Sequence, residues 1–229
     1  MPPRLHPEVL TDVQRRLLHA SSTPAAEWGA YLAGGAAVGL YLAHRRSVDL
    51  DWFSPRTVPP NDLLASMKSI GKSVSVIQNT EGTFNGSIDG VKVSVFRYTY
   101  DLLQPTVTHA GCAIASACDL AAMKLAAVAQ RTTKRDYIDV HALMKAGLDL
   151  EAQVGAFQEK FPKADARVLV RALGYFADVD KEPMPEMLVK TTWDDVKREL
   201  TRALERFDLP RALKTGCQSL ALRHGGPSL

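Results

Sequence analysis

Asp49 and Asp51 stand one residue apart in the segment Ser47–Ser54, where charged positions alternate with Leu50 and Trp52. Read as a strand, this segment sends both carboxylates to one face, about 7 Å apart along the chain. Two such carboxylates can share magnesium or manganese ions, which favour a few carboxylates plus substrate phosphates and would position an attacking hydroxyl. A D-x-D is also common as a solvated strand face or a turn, so its surroundings have to decide. Just upstream, Gly34 and Gly35 lie between an apolar run and a helical stretch. A glycine pair at a strand-to-helix turn lets backbone N–H groups approach a phosphate, although many such pairs are plain turns. Further along, Asp119–Gln130 reads DLAAMKLAAVAQ, apolar almost all round, with Lys124 in its middle. That pattern predicts a buried helix. A buried ammonium needs a carboxylate or a phosphate, unless it snorkels to the surface along its methylenes. Asp136 and Asp139 are one helical turn apart and share a face. Thr133 could also cap their helix, with Asp136 as the capping-box acid. His44, beside Arg45 and Arg46, could contact phosphate, whereas His141 is read as a hydrogen-bonded core residue. No Ser-His-Asp or Cys-His grouping can be argued from spacing.

The elements that must position these residues are legible from periodicity. Glu8–Ala20 predicts a helix, Gly29–Ala33 a strand, Ala36–Ala43 a helix, Ser47–Ser54 a strand and Asn61–Ile70 a helix. Three β-rich runs follow, Ser73–Asn79, Thr83–Ile88 and Val91–Tyr98, the last two joined by the hairpin signal Asp89-Gly90. From Asp119 onward helical periodicity takes over, with helices at about 119–130, 135–146, 150–160, 164–176 and 193–206. Gly216–Leu229 is read as weakly ordered. The expectation is an α/β (α+β) protein, an α/β part over 1–115 followed by a helical part over 116–229.

Composition narrows the class. The 229 residues are 46% hydrophobic and 23% charged, with a formal net charge of +3, as in an ordinary globular protein. The charge is too small to announce nucleic-acid binding, although basic residues gather near the two ends. Trp28–Ala43 is too short and glycine-rich to span a bilayer, and the opening residues have no apolar signal core, so a cytoplasmic protein is expected. Cys112, Cys118 and Cys217 show no zinc-like spacing and are read as reduced.

The string G-G-x(8)-H-R-x-S-x-D-L-D-x-F, carried by Gly34, Gly35, His44, Arg45, Ser47, Asp49, Leu50, Asp51 and Phe53, resembles the signature of the AbiEii/AbiGii toxin family. Lys124 followed by Arg135, Asp136 and Asp139 resembles that family's lysine and R-D-x-x-D element. The resemblance implies a polymerase-β-like nucleotidyltransferase with a small mixed sheet. It implies Asp49 and Asp51 as metal ligands, and Gly34, Gly35, Arg45, Ser47 and Lys124 around the nucleotide. Asp49, Asp51, Lys124 and Asp136 would be catalytic, with Asp139 a helix-stabilising partner for Arg131 or Lys134. The substrate would be a nucleoside triphosphate and the acceptor RNA, as in relatives that extend the 3′ end of tRNA, with a cognate antitoxin as partner. One departure stands out: the position of a third carboxylate on the later strand is Ser94, which neither holds a metal strongly nor accepts a proton at neutral pH. Asp136, Asp89 or water could take its place; the alternatives are a weakened nucleotide- or RNA-binding module, or AMP transfer to a protein.

Overall fold

The computed structural model describes residues 3–215. A seven-stranded mixed sheet is formed by β1 (Tyr31–Ala33), β2 (Asp49–Ser54), β3 (Val74–Thr80), β4 (Thr83–Ile88), β5 (Val91–Arg97), β6 (Val107–His109) and β7 (Cys112–Ile114), in the order β3-β4-β5-β2-β1-β7-β6. Its centre is β2, antiparallel to β1 and parallel to β5. The first helices are α1 (Asp12–Ala20), α2 (Ser22–Trp28), α3 (Gly34–Leu42) and α4 (Pro60–Ile70). The helical part comprises α5 (Ala117–Arg131), α6 (Lys134–Lys145), α7 (Leu150–Lys160), α8 (Ala166–Leu173), α9 (Trp193–Glu205) and α10 (Leu209–Thr215).

Strand pleating divides β2 into two chemistries. Leu50, Trp52 and Ser54 are buried, while Asp49, Asp51 and Phe53 are only partly so. Leu50 and Trp52 join Val93 and Val95 of β5, Leu63 and Met67 of α4, and Leu17 and Leu18 of α1 in the larger apolar cluster. That cluster crosses into the helical part through Leu120 and Leu143, so the two parts share a core. A second cluster, containing Tyr137, Leu125 and Val154, lies within the helical part and takes in Val179 from the turns between α8 and α9.

Several sequence expectations are corrected. The first helix does not run from Glu8: Pro7–Val9 is a single 3-10 turn, and Thr11 starts α1 afresh by a capping box with Gln14. The helix expected at Ala36 begins at Gly34, immediately after β1. Helix α2, the three-residue hairpin β6–β7 and α10 carry too few residues for periodicity to reveal them. Cys112 is free and buried, but Cys118 is disulfide-bonded, contrary to the expectation of reduced thiols. Spacing along the chain does not say which thiols the fold brings together. Cys217 and the segment Gly216–Leu229 lie outside the described residues. Among those described, no helix is long and apolar enough to cross a membrane.

Leu50 sits between the two aspartates and is 1% exposed. Its anchorage holds β2 in register, so Leu50→Ala is expected to cost about 3 kcal/mol in urea denaturation.

Candidate active site

A cavity of about 1330 Å³ opens on the face of β2 that carries Asp49 and Asp51. Gly34, Gly35, Arg45, Ser47, Lys124 and Asp136 also line it. Thus the residues singled out from the sequence, scattered over a hundred positions, meet around one space. Parallel pairing sets Ser94 of β5 beside Asp51 and Lys92 beside Asp49. The serine therefore stands next to the acid pair, where an added carboxylate would have met it.

The two glycines are required by what presses against them. Gly34 has φ +68°, and a β-carbon there would lie 2.4 Å from Asp51 Oδ2. A β-carbon on Gly35 would lie 2.7 Å from Arg45 Nη2 and 2.9 Å from Ser47 Oγ. The start of α3 is thus packed directly onto the acid strand, with the carboxylate, guanidinium and hydroxyl filling the volume a side chain would take.

Behind the cavity wall lies a buried charge network centred on Asp139, which is fully buried. Arg45 grips it with two parallel bonds, Nε to Oδ1 and Nη2 to Oδ2, each 2.7 Å. Lys124 Nζ lies 2.6 Å from Oδ2, and His44 Nε2 lies 2.8 Å from Oδ1. Burial pushes the Asp139 carboxyl up, but Lys124, Arg45 and His44 outweigh it and hold the acid well below the usual carboxylate range. Burial lowers the His44 pKa despite the Asp139 bond, and because the Asp139 carboxylate can only accept, His44 donates to it from Nε2. His44 is therefore turned inward and not towards a phosphate, because the buried carboxylate offers it the stronger partner. Asp139, expected to pair with Arg131 or Lys134, is held instead by Arg45, which follows α3, and Lys124 of α5.

Asp136 is the second acid of the network. It accepts from Lys124 Nζ at 3.0 Å, from Arg131 Nε at 2.8 Å and from the Thr133 hydroxyl at 2.8 Å. Thr133 donates to Asp136 here and makes no side-chain cap. Burial raises the Asp136 pKa, but Lys124 and Arg131 more than offset it and leave it lowered. Asp51 differs: burial, reinforced by neighbouring Asp49, raises its pKa above the ordinary value. The cation nearest Asp49 is Arg135, 3.8 Å away and half-exposed.

This contrast tests whether a divalent metal fits. The acids behind the wall are fully compensated by protein cations, whereas the Asp49–Asp51 pair is not, and its donors are hard oxygens. Among the described residues no third acid, histidine or cysteine joins them to make a ready metal cluster. Two carboxylates and an open cavity suit an ion that keeps waters and takes phosphate oxygens. Lys92, not named from the sequence, and Arg131, named there only as a partner for Asp139, also line the cavity. Lys92 was findable, since it alternates with Ser94 along VKVSVF; Arg131 was not, since only the turn after α5 brings it back to Asp136.

The Asp139 network gives a pH prediction. A depressed acid stabilises the fold above its unfolded pKa of about 4, and that contribution is lost as pH falls below this value. Urea denaturation should show the wild-type protein losing stability on acidification from about pH 5. Asp139→Ala, which leaves the buried Arg45 guanidinium without its carboxylate and Lys124 with Asp136 alone, should cost about 3–5 kcal/mol at pH 7 and flatten that acid dependence.

Comparison with known proteins places the chain. Residues 92–215 match the family described as nucleotidyl transferase AbiEii toxin of type IV toxin–antitoxin systems. The match takes in Lys124, Asp136 and Asp139 and begins after β2. An uncharacterised protein of Aquifex aeolicus (strain VF5) is 33% identical over 184 residues, covering 77% of this chain and 87% of that protein. Among solved structures, the chain is similar to JHP933 from Helicobacter pylori, with TM-score 0.54, 18% identity and coverage of 90% and 95% of the two chains. It is also similar to MenT4, a nucleotidyltransferase toxin from Mycobacterium tuberculosis H37Rv, with TM-score 0.53, 14% identity and coverage of 86% and 83%. The fold is the polymerase-β-like nucleotidyltransferase fold, and this chain is a nucleotidyltransferase belonging to the AbiEii toxin family.

Proposed function

We propose that this protein transfers a nucleoside monophosphate from a nucleoside triphosphate to the 3′ hydroxyl of an RNA, tRNA being the foremost candidate, and that a cognate antitoxin restrains it. The observation that carries the reading is the undercompensated pair Asp49 and Asp51 on a cavity that Lys124 and the Gly34–Gly35 turn also line. Asp49 and Asp51 would hold magnesium or manganese, which when bound would neutralise triphosphate charge and favour departure of pyrophosphate. Ser47 and the first amides of α3 would cradle the outer phosphates. Lys124, poised by Asp136 and Asp139, would steady the triphosphate by sharing its ammonium. Arg45 serves chiefly to position this apparatus, since its guanidinium is committed to Asp139.

The proton of the attacking hydroxyl needs a destination. Asp89 lies in the hairpin turn, accepting from the Lys72 and Ser73 amides and from Arg16. Asp136 is a weak base because its pKa is lowered. Ser94 cannot take a proton, which leaves solvent in the open cavity as the acceptor. A route through water costs rate, and Ser94 beside Asp51 is also the observation favouring the second reading, a binding module with weak turnover.

Incubation with total tRNA, Mg²⁺ and each labelled nucleoside triphosphate tests the proposal. Transfer is expected with native protein and a loss of at least about 100-fold in Asp49→Ala and Asp51→Asn. Binding of triphosphate without transfer to any RNA would support the module instead, and label on protein would indicate AMP transfer to a side chain. Gly34→Ala, which forces a β-carbon into the Asp51 carboxylate, should lower transfer about as severely while urea denaturation shows the protein still folded.

A further inference from the structure

Phe53 lies two residues beyond Asp51 on the same face of β2, and from it a run of rings extends along the cavity away from Ser47 and Asp49. Phe53 meets Phe96 at 5.6 Å and Tyr98 at 5.1 Å between centroids; Tyr98 meets Tyr100 at 5.2 Å, and Tyr100 meets Phe161 at 4.8 Å. All five line the cavity. Phe53, Phe96, Tyr98 and Phe161 are only half-buried, and Tyr100 is 48% exposed. Phe53 and Tyr98 rest against the main core and Phe161 against the helical one, and each still keeps part of its ring on the cavity, where Tyr100 is exposed. The exposed cations Lys92 and Lys163 line the same cavity.

The run is held rigid by a buried ion pair that phosphoryl transfer does not employ. Lys160 Nζ lies 2.8 Å from Asp119 Oδ1, and both side chains are fully buried. Lys160 also donates to the Asp101 carbonyl at 2.7 Å and sits 5.6 Å from the centre of the Tyr98 ring. Asp119 accepts the Leu103 and Gln104 amides at 2.9 and 3.3 Å. The pair thus pins the backbone of Asp101, Leu103 and Gln104, immediately after Tyr100, a preorganisation that lowers the cost of ordering the rings when something stacks on them.

Resting on the transferase reading, we infer that this aromatic wall is a nucleobase-stacking site. It takes the base of the incoming nucleotide, the terminal bases of the acceptor strand, or one after the other. Rings offer every base a π-face without regard to sequence, and flanking lysines track the phosphates between bases. The wall starts beside the acids and runs away from the Ser47 end of the site, where the phosphates belong. A base attached to the reacting nucleotide, or an acceptor arriving opposite the leaving pyrophosphate, is brought to it by either route.

The test compares Tyr100→Ala, Phe96→Leu and Tyr100→Phe with native protein. Binding is measured for inorganic tripolyphosphate with Mg²⁺, for each nucleoside triphosphate with Mg²⁺, and for total tRNA. Tripolyphosphate should bind native protein and all three variants alike, which also verifies that the phosphate site is intact. A loss of about 10-fold or more in triphosphate affinity, restored in Tyr100→Phe, places the nucleotide base on the wall; the same loss for tRNA alone places the acceptor there. Unchanged affinity for both nucleoside triphosphate and tRNA in Tyr100→Ala and Phe96→Leu overturns the inference. That outcome is separable from failure of the transferase reading, which is reported by transfer in Asp51→Asn equal to that of native protein.

Discussion

The bond from Arg45 to Asp139 is the constraint on which the rest of the site depends. It joins the segment leaving α3 to the middle of α6, and Lys124 of α5 and His44 close on the same carboxylate. Burying a carboxylate without partners is prohibitive, so α3, α5 and α6 must approach together for any of these charges to leave water. Once they do, Lys124 has one place to be. Its ammonium is held between Asp136 and Asp139 at the edge of the cavity, and the guanidinium of Arg45 is wedged against Gly35.

Charge is distributed unevenly across this wall. Behind it, each acid is outmatched by the cations around it, and both carboxyl pKa values are lowered. In front of it, Asp51 is partly desolvated beside Asp49 and its pKa is raised. A site with surplus negative charge on one side and rigidly held cations on the other is suited to a ligand that brings both a cation and a polyanion. A metal-bound triphosphate, the substrate we propose, is such a ligand.

The same economy of parts appears at the far end of the cavity. Asp119 caps nothing essential to catalysis, yet it is fully buried with Lys160 and spends its oxygens on two loop amides and the Ser116 hydroxyl. Polar networks of this kind rigidify only when every member is satisfied, as here. The loop following β5 consequently has a definite shape where it borders the cavity, and it does not need a ligand to acquire one.

By itself, the sequence determined the alternation that makes β2 two-faced, the Asp89-Gly90 hairpin, most of the helices, and a lysine on an apolar helix in need of an anionic partner. Those features repeat within a few residues, so local periodicity exposes them. It also carried the glycine pair, but not the reason for it, since the atoms that exclude a β-carbon belong to residues 51, 45 and 47. Only the tertiary structure decided that Asp139 is the hub and not an ornament of its own helix, that His44 faces inward, and that Lys92, Arg131 and a line of aromatic rings share the cavity. These are contacts between segments far apart in the chain, and which partner a buried charge finds depends on how three helices and a strand close around it, a quantity that no spacing along the sequence encodes.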